Sequence, residues 1–283
     1  MLSKKNICAV IVSYNCDDFI IKNIKSLSNQ VEKILIVDNG STKESKQILF
    51  TLQEQFKIKI IENEKNMGIA FALNQGLDFA QKQGYKLLLT LDQDSSLQSN
   101  AVLRMLDIMN ENSQVISVGP NYKPFKKENA NRYKYVKYLI TSGNLTYVSN
   151  ALYVGGYNNK LFIDGVDFDF SFKLLNQGYK LVTSEYSHMT HNLGEPVIKR
   201  ILSKKIKITD HRPLRHYYMF RNNIYIFRKF FHALPIICIK KQIFISFYFW
   251  KVLILHPNKK SNIEMIIRGI KDGLQNKLGK YGE

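Results

Sequence analysis

At 283 residues, 45% hydrophobic and 12% aromatic, the chain carries enough apolar surface for a packed core and reads as globular. Three cysteines, Cys8, Cys16 and Cys238, lie far apart without a CxxC pair, which argues against a disulfide framework or a zinc site and fits a reducing cytoplasm. The net charge of +18 is uneven: Lys and Arg number 22 against 19 Asp and Glu up to residue 198, then 19 against 4 from Lys199 onward. Such a basic tail suits nucleic acid, anionic lipid or a phosphorylated substrate, and charge alone does not choose.

Two lysines before an apolar stretch give the N-terminus, MLSKKNICAVIVSYN, a superficial likeness to a secretory signal. The stretch is too short and lacks a small-residue cleavage pattern before Asp17 and Asp18, so it reads as a first strand, ICAVIVS. KILIVD (33–38) and KLLLTLD (86–92) are the same kind of run, apolar on both faces, as in a parallel sheet. Between them, Asp17 or Asp18 caps a helix with Ile20, Ile24 and Leu27 on one face, and Thr42 caps KESKQILFTLQEQ. A third helix runs from Gly68 to Gln83, stopped by Gly84. This alternation over the first 120 residues predicts a βαβ-type open sheet, whose ligands bind beyond the carboxyl ends of the strands.

KPFKKENANRYKYVKY (123–138) reads as a loop or an edge element, KLVTS (180–184) as a short strand and HMTHNLGE (188–195) as a loop. Beyond residue 198 long aromatic helical patterns follow, RHYYMFRNNIYIFRKFF and ICIKKQIFISFYFWKVLIL. The second is interrupted by Lys240, Lys241 and Lys251, and its unbroken apolar part falls short of the roughly 20 residues that span a bilayer. It suits a membrane surface better than a crossing.

Polar residues cluster where the predicted strands end: Tyr14 and Asn15 after the first, Asp38, Asn39 and Ser41 after the second, Asp92 and Asp94 after the third. Two carboxylates at i and i+2 beyond a strand can turn toward one hard cation, Mg²⁺ or Mn²⁺, which shares its shell with substrate phosphates. Asp38 is placed to accept an N–H from a flat base. The Asn66 to Gly68 turn opens a helix whose amides can face a pyrophosphate.

The set AVIVSYN, ILIVDNGS, NMGIAFALNQG, LTLDQDS, LITSGNL, GGYNNKLFIDGVDFDFSFKLLNQGYKL, HNLGE and RHYYMFRNNIYIFRK resembles the inverting nucleotide-sugar glycosyltransferases of the large A-type family two. LDQDS followed by FIDGVDFDFSFK looks most like its bacterial rhamnosyltransferase branch, and the likeness covers most of residues 5–230. It implies the A-type fold, a Rossmann-like, mostly parallel sheet flanked by helices, here with a basic helical C-terminal extension. By this resemblance Asp38 reads a pyrimidine base above the Ser13, Tyr14, Asn15 turn, and Asn66 and Gly68 line the nucleotide site. Asp94, helped by Asp92, holds the metal on the diphosphate. His191 contacts phosphate or completes the metal shell, and Arg221 and Asn222 hold a phosphate. Ser142, Gly143, Asn144 and Asp164 face the acceptor.

An inverting displacement also needs a base opposite the leaving group. The resemblance points to Asp167, with Asp164 and Asp169 as rivals, because many relatives read Glu-Asp where this chain reads Val166-Asp167. The implied donor is dTDP-rhamnose, with a UDP-hexose as the alternative; the implied acceptor is a glycan or lipid-linked saccharide of a cell-surface polysaccharide. Three stretches are expected: a nucleotide-sugar half (1–120), an acceptor and catalytic half (121–232), and a basic amphipathic tail (233–283). The tail would rest on the inner face of the plasma membrane or, failing that, pack on its own domain or a second copy of the chain. A Rossmann dehydrogenase is excluded by the missing GxGxxG after the first strand, and a P-loop NTPase by the missing GxxxxGK[ST]. A nucleic-acid binder is the rival from another class, and nucleic acid is not an expected partner.

Overall fold

The three apolar runs become strands because each is covered on both faces. In the computed structural model, β1 (Ile7–Ser13) pairs in parallel with β2 (Lys33–Asp38) on one side and β4 (Leu87–Asp92) on the other, and β3 (Lys59–Glu62) extends the sheet beyond β2. The structure describes residues 1–122, 131–191, 197–201, 204–208, 212–256 and 258–283, with side chains described for 1–122, 131–190, 212–256 and 258–283. Ile7, Ala9 and Ile11 face one core with Ile36, Leu89 and the helix α1 (Phe19–Leu27), which contributes Ile20, Ile24 and Leu27. Each such buried side chain is worth roughly 1.5–3 kcal/mol. The opposite face of β1 receives α3 (Ile69–Lys82), which follows α2 (Lys43–Phe56), and Gly76 of α3 rests on the Val10 side chain.

The expected helix ends hold. Asp17 Oδ1 accepts the Phe19 N–H at 3.0 Å, Thr42 Oγ1 accepts the Ser45 N–H at 3.5 Å, and Gly84 leaves α3 at φ +75°. The chain then adds β5 (Ser95–Leu97), α4 (Ala101–Glu111), β6 (Val115–Asn121), β7 (Tyr133–Val136), β8 (Asn144–Tyr147), α5 (Val148–Tyr153), α6 (Val166–Asn176) and β9 (Lys180–His191). The sheet order is β3-β2-β1-β4-β8-β6-β9-β5, with β7 on β9. β8 runs antiparallel to both β4 and β6, whereas β6 and β9 are parallel.

One expectation changes here and one is met. HMTH is not loop: Met189, Thr190 and His191 continue β9 because they pair with Leu97, Ser96 and Ser95 of β5. Tyr133–Val136 is an edge strand on β9, while residues 123–130 and 192–196 lie outside the described residues.

Backbone packing divides the chain into one unit of Met1–Asn159 and Val166–Asn192 and a second of Lys160–Gly165 and Leu193–Glu283. The second holds an antiparallel hairpin that the helical texture of the tail hides, β10 (Val197–Ile201) with β11 (Lys204–Ile208). It also holds three helices, α7 (Pro213–Phe230), α8 (Pro235–Leu255) and α9 (Lys259–Leu274). Gly269 and Gly273 bring the α9 backbone against the carbonyls of Tyr217 and Arg221 of α7, so α7 packs with the tail helices.

A methyl group at Gly76 would overlap Val10. Gly76→Ala is expected to lower stability by about 1–3 kcal/mol through overpacking, read as a lower urea midpoint.

Candidate active site

Strand register gathers the first group of residues. Ser13 stands opposite Asp38 and Val12 opposite Asp92, so the carboxyl ends of β1, β2 and β4 form one tip. The chain leaves β1 toward β2 on one side and returns to β4 on the other, which makes this tip a switch point in the topology.

Asp38 is wholly buried. Its carboxylate accepts the Ser41 backbone N–H at 3.2 Å and the Ser41 hydroxyl, and Ser41 Oγ accepts the Asn15 N–H at 2.8 Å. The carboxylate closes the turn after β2, and Asp38 lies at the strand tip where the sequence expects it to read a base. Asn15, at φ +50°, returns the tie by accepting the Thr42 N–H at 3.0 Å. Exposure passes to Tyr14, 46% accessible, and to Asn15, while Ser13 is buried beneath them.

The Asn66 to Gly68 turn packs on the same tip. Asn66 Oδ1 accepts the Gly68 N–H at 2.9 Å, and Asn39 Nδ2 donates at 3.2 Å to both Asn66 Oδ1 and the Gly68 carbonyl. Gly40 makes this approach possible, because at φ +81° a Cβ would sit 2.5 Å from the Lys65 carbonyl carbon. Asn39 also accepts from Asn63 at 3.2 Å and from the Met67 N–H at 3.1 Å, which makes it the hub of a buried amide network.

Beyond β4 the Asp92-Gln93-Asp94 turn is held by its middle residue. Gln93 Oε1 accepts the Tyr14 N–H at 2.8 Å, Gln93 Nε2 donates to the Tyr14 carbonyl at 3.3 Å, and Asn23 Nδ2 donates to the Asp92 carbonyl at 2.7 Å. Both aspartates are half-buried. Ser142, 1% exposed, braces the turn: its Oγ accepts the Asp92 N–H at 3.0 Å and lies 2.7 Å from Ser95 Oγ. Asn144, 2% exposed, accepts from Ser117 Oγ at 2.5 Å, and a Cβ on Gly143 would lie 2.6 Å from the Pro120 ring. Ser142, Gly143 and Asn144, expected to face the acceptor, are all buried beside the Asp92 to Asp94 turn.

Tyr122, absent from the expected set, joins this turn to the candidate base. Its hydroxyl donates to the Ser142 carbonyl at 2.6 Å. Burial of that hydroxyl, and then the charges of Asp92 and Asp167, push the phenol well above its usual range, so it stays protonated and donating at neutral pH. Asp92 and Asp167 thus act on one phenol. The sequence offers only a tyrosine just past a strand end, GPNY, as a signal.

The three rival carboxylates now differ in kind. Asp169 is fully buried and paired with Lys173 at 3.3 Å. Asp164 belongs to the second unit, where its Oδ1 meets Arg215 Nε at 3.3 Å; burial raises its pKa and the Arg215 charge partly offsets this. Asp167 lies half-buried in the first turn of α6, with Oδ1 accepting the Phe168 N–H at 2.9 Å.

Arg221 and Asn222 are each 1% exposed. The guanidinium donates to the carbonyls of Gly279 at 2.6 Å and Leu161 at 3.1 Å, and Asn222 Nδ2 donates to those of Leu161, Ile163 and Asp164 at 2.7–2.9 Å. They clamp a loop in which Phe162 and Asp164 have φ of +64° and +61°. In this arrangement buried carbonyls take up donors that the sequence reading assigns to a phosphate.

Among the described residues no three His, Cys, Asp or Glu side chains converge as a ready-made metal site. The donor set still fits a divalent cation that draws most of its shell from a diphosphate and water, for which one or two carboxylates suffice. Asp92 and Asp94 supply them. The backbone of His191 pairs with Ser95, next to Asp94, and its side chain lies outside the described residues.

The model of the family "Glycosyl transferase family 2" matches residues 8–179. The dTDP-rhamnosyl transferase RfbF of Shigella flexneri is 27% identical over 303 residues, covering 97% of each chain. A structure of Staphylococcus aureus TarS 1-349 in complex with UDP-GlcNAc superposes with a TM-score of 0.63 at 13% identity, over 95% of this chain and 80% of that one. GalNAc-T7 with UDP, GalNAc and Mn²⁺ gives 0.62 at 14% identity, over 96% of this chain, which spans 56% of the longer one.

The clamp and its loop generate two predictions. Arg221→Lys is expected to cost about 2 kcal/mol or more by leaving buried carbonyls unpaired, read as a lower calorimetric transition; a phosphate ligand would instead lose nucleotide affinity with stability intact. Asp164 carries the second. Its folded pKa is raised above the unfolded one, so its contribution is fully present below about pH 4 and is lost as pH rises. Relative to Asp164→Asn, the wild type should lose unfolding free energy from about pH 4 upward in urea titrations.

Proposed function

The chain belongs to glycosyl transferase family 2 and has the A-type fold, and from that premise we propose that it transfers rhamnose from dTDP-rhamnose, with inversion, onto a glycan or lipid-linked saccharide of a cell-surface polysaccharide. The end-to-end likeness to a dTDP-rhamnosyl transferase supports the donor. The observation that supports the chemistry is that Ser142 holds both the Asp92 N–H and the Tyr122 hydroxyl, while the charges of Asp92 and Asp167 both bear on that phenol.

Tyr14, Asn15 and the Asn66 to Gly68 turn, opening α3, receive the nucleotide, with the helix N-terminus toward the negatively charged phosphates. Asp92 and Asp94 stand where the diphosphate leaves, and a divalent cation held there would supply Lewis-acid compensation of the leaving charge. Asp167 takes the proton of the acceptor hydroxyl as its oxygen bonds to the anomeric carbon and the bond from that carbon to the diphosphate oxygen breaks. Its partial exposure in the first turn of α6 suits this better than the ion-paired burial of Asp169. The reaction runs in the cytoplasm, with a lipid-linked acceptor met at the inner face of the membrane.

A sugar-release assay across dTDP-rhamnose, UDP-glucose, UDP-galactose and UDP-N-acetylglucosamine with Mg²⁺ or Mn²⁺ tests this. The strongest release is expected from dTDP-rhamnose, and Asp94→Asn and Asp167→Asn should each lose at least about tenfold to a hundredfold. Preference for a UDP-hexose would replace the donor. Full turnover in Asp167→Asn would take the role of base away from Asp167.

A further inference from the structure

Helix α8 is rich in apolar residues, and only one of its sides is packed. Cys238, Ile245, Val252 and Leu255 are buried, with Ile245 and Val252 in a cluster with Phe220 of α7 and Ile266 of α9. On the opposite side Ile236, Ile239, Ile243, Phe247, Trp250 and Ile254 follow one another at three- and four-residue steps, a single stripe about 27 Å long. Every one of them is exposed, Ile236 at 68% and Phe247 at 71%, and Phe244 widens the stripe at 66%. An apolar surface of this extent on a water-soluble face marks something that covers it.

We infer that this stripe of α8 lies flat in the interfacial layer of an anionic lipid bilayer. Charge selects the occupant. α8 contains Lys240, Lys241 and Lys251 and no acidic residue, and Lys259 and Lys260 open α9 directly after it. A second copy of the chain meeting α8 about a two-fold axis would set these lysines against their own kind, whereas acidic headgroups complement them. The composition agrees, since tryptophan and phenylalanine on an apolar face with lysines at its margins are the contents of a helix that rests in an interface. Crossing is excluded for it, because no described helix is long and apolar enough to span a membrane.

This deepens the proposed function by giving a lipid-linked acceptor a surface at which to be met, but the stripe is read from exposure and charge independently of the nucleotide site. Trp250 is the only tryptophan of the chain and lies on the stripe, so the intact protein reports its own insertion. The experiment mixes full-length protein with vesicles of phosphatidylcholine containing a quarter phosphatidylglycerol, and with phosphatidylcholine alone, following Trp250 emission and flotation.

A blue shift and flotation with the anionic vesicles are expected, at least about tenfold weaker without phosphatidylglycerol and suppressed by salt. Ile243→Ser with Phe247→Ser should lose at least about tenfold in vesicle binding, with the circular dichroism spectrum unchanged. In a second variant, Lys240→Glu with Lys251→Glu should lose as much on anionic vesicles only. Unchanged Trp250 emission with the protein left in the soluble fraction would overturn the inference, as would a lipid-free sedimentation mass of two chains with Trp250 already shielded. Vesicle binding without any sugar release would sink the transferase reading and leave this one standing.

Discussion

Parallel pairing of β1 with both β2 and β4 sets Ser13 beside Asp38 and Val12 beside Asp92, and this register decides where negative charge gathers in the molecule. A shift by one residue would turn every side chain of β1 to the other face, exchanging the core of Ile7, Ala9 and Ile11 for the side that meets α3. The cost of such an exchange is several buried side chains at once. The apolar interior of the sheet thereby holds the polar tip in place, though the tip itself contributes little to stability.

Carboxylates beside an apolar sheet are tolerated only when hydrogen bonds or a counter-charge take up their field. The tip meets this condition in two ways. Asp38 is hydrogen-bonded by Ser41, and Asp169 meets the counter-charge of Lys173. Asp92, Asp94 and Asp167 stay half-buried, and the groups around them, Gln93, Ser142 and Tyr122, fix the backbone or remain neutral donors. That division separates residues that shape the site from residues able to act in it.

The second unit follows the same logic with opposite polarity. Arg221 is a buried cation with its donors shared among the carbonyls of a left-handed loop and Gly279, and its charge lies over the rings of Tyr217 and Tyr218. α8 completes the unit with one apolar side and presents the other outward. A cation turned inward and an apolar stripe turned outward are each expensive alone, and each makes sense only through what it touches.

By itself the sequence determined the local elements and the chemical alphabet of the site. Helices α1, α2 and α3 and strands β1, β2 and β4 follow from periodicity and caps that act within a few residues, and the DxD turn is legible because its carboxylates follow a strand directly. The tertiary structure alone decided which polar side chains face inward. Asp38, Ser142, Asn144, Arg221 and Asn222 are the residue types that bind ligands, and all are buried here, most of them against partners distant in the chain; Tyr122 gains its place because the fold brings residues 92 and 122 to Ser142. The extension of β9 through His191 needed β5 as a partner, and a helix as uniformly apolar as α8 carries no sequence record of which side its neighbours cover. Short-range preferences are written in adjacent residues, whereas burial is a property of the whole chain's packing.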